Sequence, residues 1–136
     1  MSDYEIYIIL GDPIPLKRAR VTKNGTYDPQ KKEKEQIQYM MRANYGLLTP
    51  FKGPIDLDLR FGMPIPKSYS KKRKEALLNN CHSCKPDLSN LIKFYEDALT
   101  GILWEDDSQI YKIAATKTYC KSPHVTITIK EVQNGM

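Results

Sequence analysis

Residues 54–63, PIDLDLRFGM, alternate cleanly between apolar and polar positions. Ile55, Leu57, Leu59 and Phe61 fall on one face, Asp56, Asp58 and Arg60 on the other, which is the pattern of a half-buried strand. Residues 4–10, YEIYIIL, are rich in aromatic and β-branched side chains and predict a first strand that ends at Gly11-Asp12-Pro13. Asn24-Gly25 is a tight-turn signal for a small hairpin with Thr26-Tyr27. Asp28-Pro29 reads as an N-cap followed by proline in a first helical turn. That helix is expected to run to about Tyr45, with Ile37, Met40, Met41, Tyr45 and Leu48 as its apolar stripe. Pro64-Ile65-Pro66 breaks the central strand, and Ser68 or Ser70 caps a short helix reaching about Asn79. A second amphipathic helix begins near Leu88, where Leu88, Leu91, Ile92, Tyr95, Ala98, Leu99 and Ile102 keep helical spacing. Residues 110–119 and 124–132 then read as a closing pair of strands. The order β, α, β, short α, α, β, β makes the class α+β (mixed α/β): one compact domain, 1–136, with a mixed sheet and helices packed on it.

Charge sharpens this picture. The formal net charge is +5, and the excess is grouped. Lys17, Arg18 and Arg20 follow the stiff segment Pro13-Ile14-Pro15 on an exposed arm, Lys31, Lys32 and Lys34 form a second group, and Lys71, Lys72, Arg73 and Lys74 a third. A single such run is ordinarily a solvated helix face. Three runs, with Lys112, Lys117 and Lys121 beside them, point to a phosphate-bearing partner. The apolar run 6–10 is too short, and too acidic in its flank, for a signal peptide, and no stretch approaches the length of a membrane span. The expected location is cytoplasmic, associated with the nucleoid. Three cysteines, an odd number, do not make a disulfide framework.

Against this basic background stands an acidic stretch, residues 85–109, KPDLSNLIKFYEDALTGILWEDDSQ. Asp87 lies at the helix start, where an N-cap role alone would account for it. Asn90, Lys93 and Asp97 project from one side of the helix, and Lys93 with Asp97 would by itself be a surface ion pair of little energy. The functional reading takes Asp87, Lys93 and Asp107 as a unit. If the chain turns back after Gly101, Asp106-Asp107 approach the helix start, and carboxylates from separate elements hold Mg²⁺ with waters. The metal would polarise a phosphodiester and activate water, while the lysine meets charge developing on the phosphate.

The same stretch resembles the RusA family of Holliday junction resolvases (crossover junction endodeoxyribonucleases). The resemblance is carried by Lys85, Pro86, Asp87, Leu88, Asn90, Leu91, Ile92 and Lys93, then Asp97, Ala98, Leu99 and Gly101, then Asp106, Asp107, Ser108, Gln109 and Ile110. The opening segment PIPLKRAR, residues 13–20, is also similar to the family's. The resemblance implies a small homodimeric nuclease that binds branched DNA at four-way junctions. It implies symmetric paired cuts with Mg²⁺ (or Mn²⁺), no small-molecule cofactor, no membrane, and a frequent phage or prophage origin. It assigns Asp87 as the first essential acid, Lys93 as the catalytic lysine and Asp107 as the later essential acid, with Asp106 beside it. One position departs: the family reads D-x-D-N where this chain has Asp87-Leu88-Ser89-Asn90. Three readings follow. Serine is a tolerated variant with Asp97 or Asp106 supplying charge, or activity is reduced with binding intact, or the chain is a non-catalytic binder of branched DNA. The joint presence of Asp87, Asn90, Lys93, Asp97 and Asp107 favours the first.

Other signals carry less. Cys81-His82-Ser83-Cys84 has C-x-x-C spacing, and a zinc site would need Cys120 or His124 to complete it; ordinary loop residues are the expectation. His82 also lies close enough to Asp87 in sequence to face the site or the DNA. Trp104 fits core packing. Tyr27 and Tyr69 sit near basic runs and are weak candidates for base stacking, and Asp56 and Asp58 are expected on the wet face of their strand.

Overall fold

The structure, a computed structural model, describes residues 3–18 and 20–133, the side chains of Arg20 and Thr22 excepted. Its elements are β1 (Glu5–Leu10), β2 (Arg20–Thr22), β3 (Gly25–Tyr27), α1 (Lys31–Tyr45), β4 (Ile55–Met63), α2 (Lys71–Leu77), α3 (Leu88–Leu99), a short 3₁₀ turn (Asp107–Gln109), β5 (Ile110–Tyr119) and β6 (His124–Glu131). β2 and β3 pair as a separate hairpin; its turn residues are Lys23 and Asn24, one position earlier than the Asn24-Gly25 signal suggests, because Gly25 already pairs with Thr22. The main sheet has the order β1-β6-β4-β5. β6 runs antiparallel to both β1 and β4, whereas β4 and β5 are parallel. The mixed sheet follows from the connection between β4 and β5, which is long enough to carry α2 and α3 back to the starting end.

The two final strands are therefore not neighbours. β4 lies between them, with Leu59 facing Ala115 on one side and Ile127 on the other. β4 is the central strand because Leu57, Leu59 and Phe61 are buried by α3 and α1 on one face. Ile37 and Met41 from α1 and Leu91, Phe94, Tyr95, Ala98 and Leu99 from α3 complete that layer with Tyr7, Ile9, Val125, Ile127 and Ile129. Trp104 closes the end of the core with no exposed surface, its Nε1 donating to Thr100 Oγ1 at 3.0 Å. The other sheet face is open: Ile6 and Leu10 are 61% and 69% exposed. Asp56 there accepts from the Tyr4 hydroxyl at 3.0 Å, and Asp58 lies 3.5 Å from Arg60, as expected for wet-face acids.

α1 starts later than Asp28-Pro29 suggests. Gln30 occupies the cap position, and the Asp28 carboxylate accepts from Gln30 N at 2.9 Å while pairing with Lys34 at 2.7 Å. Leu48 packs against the core from beyond the helix end. Ser70 caps α2, accepting from Arg73 N at 3.2 Å. No described helix is long and apolar enough to cross a membrane.

Candidate active site

Asp87 occupies the N-cap position of α3 without capping it; its carboxylate makes no bond to the helix N–H groups. It pairs instead with Lys85 at 2.9 Å. That hydrogen bond and charge, with Lys117 adding to them, hold the Asp87 carboxyl below its usual range, so it is ionised at neutral pH. Lys117 reaches from β5 to donate to the carbonyls of Cys84, at 2.5 Å, and Pro86, at 2.6 Å. The Lys85–Pro86 bond between them is cis.

The proline-rich arm lies along the first turn of α3. Leu16 N donates to Asn90 O at 2.9 Å, and Ile14 N to the buried Tyr95 hydroxyl at 3.1 Å. Gln30, fully buried, accepts from Lys17 N at 2.7 Å and donates to Pro15 O at 2.8 Å. Lys17 and Arg18 are thus presented, exposed, beside the start of α3. The side chain of Arg20 lies outside the described residues.

Along α3 the exposed Ser89, Lys93 and Asp97 recur every fourth residue and form one ridge. The expected pair between Lys93 and Asp97 is absent from the described ion pairs. Asp97 meets Lys34 of α1 at 3.6 Å, because α1 and α3 pack side by side. Glu96, not singled out by the sequence, is half-buried between these groups. Burial raises its pKa, Asp107 and Asp97 raise it further, and Lys93 opposes them. Its signal was available: Glu96 stands three residues from Lys93, on the side of the helix that Lys93 and Asp97 share.

After Gly101 the chain turns and delivers Asp106 and Asp107 to the C-terminal end of α3. Asp106 caps the 3₁₀ turn, accepting from Ser108 N at 3.1 Å. Gln109 locks the turn: its Oε1 accepts from Asp106 N at 2.7 Å and Glu105 N at 2.8 Å, and its Nε2 donates to the carbonyls of Phe51 and Gly53 at 2.8 and 2.9 Å. The D-D-S-Q run is therefore a rigid carboxylate platform. The two acids share a hydrogen bond that raises Asp107, with burial and the charges of Asp106 and Asp97 adding to it. The Ser108 N–H and the same shared bond lower Asp106.

The structure gathers Asp107, Asp106, Asp97 and Glu96 with Lys93, and leaves Asp87 apart. α3 spans twelve residues, ~18 Å at the helical rise, with Asp87 at one end and Asp107 beyond the other. The groups that act on Asp87 are lysines; those that act on Asp107 are acids. The expectation that Asp106-Asp107 fold back to the helix start is therefore not met within the chain, because a rigid helix separates them.

Among the described residues no three His, Cys, Asp or Glu side chains are placed as a ready metal cage. The Asp106-Asp107 pair still suits a hard cation. Magnesium takes one or two carboxylates and keeps its waters, and binding it requires the carboxylates to be deprotonated. Among the described residues the cysteines are not gathered with the histidines into one group of three or more. Cys84 Sγ lies 3.5 Å from both His82 Nε2 and the Tyr119 hydroxyl, while Cys120 pairs separately with His124 Nδ1 at 3.6 Å. His82 packs its ring on Tyr119 at 4.8 Å and is 8% exposed, so it is turned away from solvent. On α2, Arg73 stacks over Tyr69 at 3.6 Å, which occupies that tyrosine face.

The family model described as Endodeoxyribonuclease RusA matches residues 11–130, which takes in the arm, α3 and the acidic platform. The chain is also 32% identical over 135 residues to the uncharacterized protein YqaN of Bacillus subtilis (strain 168), covering 93% of this chain and 95% of that protein. The chain belongs to the RusA endodeoxyribonuclease family.

Proposed function

We propose that this chain is a metal-dependent endonuclease that resolves four-way DNA junctions by paired symmetric nicks, working as a homodimer. One observation carries the reading: half-buried Glu96 lies in the field of Asp97, Asp107 and Lys93, beside the exposed ridge of α3 in a net basic protein. A binding surface alone gives no reason to hold like charges together at that point.

In this proposal Asp107 and Asp106 would hold Mg²⁺ (or Mn²⁺), with the charge of Asp97 acting on Asp107 from α3. The bound metal supplies polarisation of the phosphodiester and a more acidic attacking water. The Lys93 ammonium stabilises negative charge as it builds on the phosphate oxygens. Glu96, pushed up by burial and by its acidic neighbours, is suited to take the proton of that water. Asp87, kept ionised by Lys85 and Lys117, would accept hydrogen bonds from water on the bound DNA at the other end of the ridge. Asn90 fixes the arm through its backbone carbonyl, and Lys17, Arg18, Arg20 and the α2 cations grip phosphates. Two cuts on a roughly two-fold substrate call for two copies related by a two-fold axis.

A second reading, a weakly active or non-catalytic binder of branched DNA, is favoured by Ser89 in place of an acid and by the separation of Asp87 from Asp107. The test incubates labelled four-way, forked and linear DNA with the protein, in Mg²⁺ and in EDTA. Paired nicks on the four-way DNA alone, in Mg²⁺ alone, support the first reading. A shifted but uncut band supports the second.

A further inference from the structure

The α2 basic run divides in the structure. Arg73 turns to Tyr69, but Lys71, Lys74, Glu75 and Leu78 share the opposite side and line a groove of roughly 910 Å³. Lys67 and Lys121 come to its rim from the segments after β4 and β5. Its floor is aliphatic, formed by Ile65, Leu78, Pro64 and Pro123. Asp12 and Glu75 lie among the four lysines.

We infer that this groove holds an unpaired nucleotide segment of the DNA, extending the phosphate grip beyond the α2 lysines to Lys67 and Lys121. The inference rests on the reading that the chain acts on branched DNA. Four ammonium groups against two carboxylates leave the groove cationic, which suits a phosphate backbone. A closed duplex presents phosphates and no apolar face, and would leave the aliphatic floor empty. An unstacked nucleotide lays its sugar and the plane of its base on that floor while its phosphates meet the lysines. The carboxylates fit the same occupant, because base amino groups donate to carboxylate oxygens. They oppose an acidic peptide, the other ligand a lysine rim suggests.

The place of the groove agrees. On the other side of α2 the field of Arg73 and Tyr69 reaches Tyr119, whose hydroxyl meets Cys84 Sγ at 3.5 Å, three residues before Asp87. A strand leaving the groove over α2 arrives at the start of the α3 ridge. Base pairs open most readily where the arms of a branched substrate meet, and this groove would hold nucleotides unpaired there.

The test is binding by fluorescence anisotropy in EDTA, where nothing is cut. The full chain is titrated with labelled linear duplex and with the same duplex carrying a short internal single-stranded gap. The wild type is expected to prefer the gapped DNA. The double variant Lys67→Ala/Lys121→Ala is expected to lose about ten-fold on gapped DNA and distinctly less on linear duplex, at one fixed salt concentration. Equal losses on both DNAs, or no loss on either, would overturn the inference. So would a peptide of alternating aspartate and leucine that binds the wild type and not the double variant, since it would assign the groove to a protein partner. Circular dichroism of the variant checks that these exposed changes leave the fold intact. Cleavage assays on four-way DNA are read separately, so a failure of the nuclease reading stays distinguishable.

Discussion

Lys117 Nζ donates to the carbonyl of Pro86 at 2.6 Å, so a β5 cation fixes the residue immediately before Asp87. The same ammonium takes Cys84 O at 2.5 Å, and its charge helps keep Asp87 ionised. Lys117→Met should remove both bonds and leave two carbonyls competing for water. The expected cost is about 1–2 kcal/mol, read as a lower urea midpoint. The Asp87 carboxyl should also titrate at higher pH, followed by NMR, and Lys117→Arg should recover part of both effects. A purely structural lysine would move the midpoint and leave the Asp87 titration alone.

His82 predicts a pH dependence of stability. Burial lowers its pKa, and Lys117 nearby lowers it further. The unfolded chain therefore binds a proton that the folded chain resists, starting near the ordinary value of about 6.5. Stability should be level above that value and fall as pH drops through the acid side of it. His82→Phe should flatten the curve in that window, measured by urea midpoints across it. An unchanged slope would mean the ring is protonated in the folded state.

The acidic platform makes a metal prediction. Asp107 is raised by its bond to Asp106, so it gives up its proton less readily than an ordinary carboxyl. Metal affinity should therefore weaken with falling pH sooner than it would for independent carboxylates, in isothermal titration with Mn²⁺. Asp107→Asn should abolish Mg²⁺-dependent cutting while leaving junction binding in EDTA unchanged. Lys93→Ala should slow cutting by about 10²–10³-fold with binding altered little.

Ser89 sits on the same ridge as Lys93 and Asp97. If Glu96 and the platform already supply the charge, Ser89→Asp should change the single-turnover rate by less than about three-fold, under 1 kcal/mol. Glu96→Gln should then cost more than Ser89→Asp gains. A large gain from Ser89→Asp would instead mark the natural chain as a weakened nuclease.

Much of this architecture was readable before the fold was known, for local reasons. The alternation of residues 54–63 and the spacing from Leu88 to Ile102 identified the central strand and the central helix, and both bury the faces they promised. Trp104 went to the core on side-chain chemistry alone, and of the two cap candidates, Ser68 and Ser70, Ser70 is the cap. The partner of β5 was not readable. Alternation says which face is buried and nothing about which strand lies alongside, and β4 intervenes. Asp87 and Asp107 were placed together by motif, although the twelve-residue helix between them sets a length that motif ignores. Gln30 had no periodic signature at all, because a lone buried amide is defined by the two chain segments it joins.

That amide has a consequence for how tightly DNA is held. By bonding Lys17 N and Pro15 O, Gln30 ties the basic arm to the start of α1 before any ligand arrives. The loss of freedom in the arm is met during folding, so association does not have to supply it. Gln30→Leu keeps every charge, costs about 1–3 kcal/mol of stability, and leaves the arm loose. Junction affinity should then fall with the salt slope unchanged, since the same number of phosphates is met by an arm that must first be ordered.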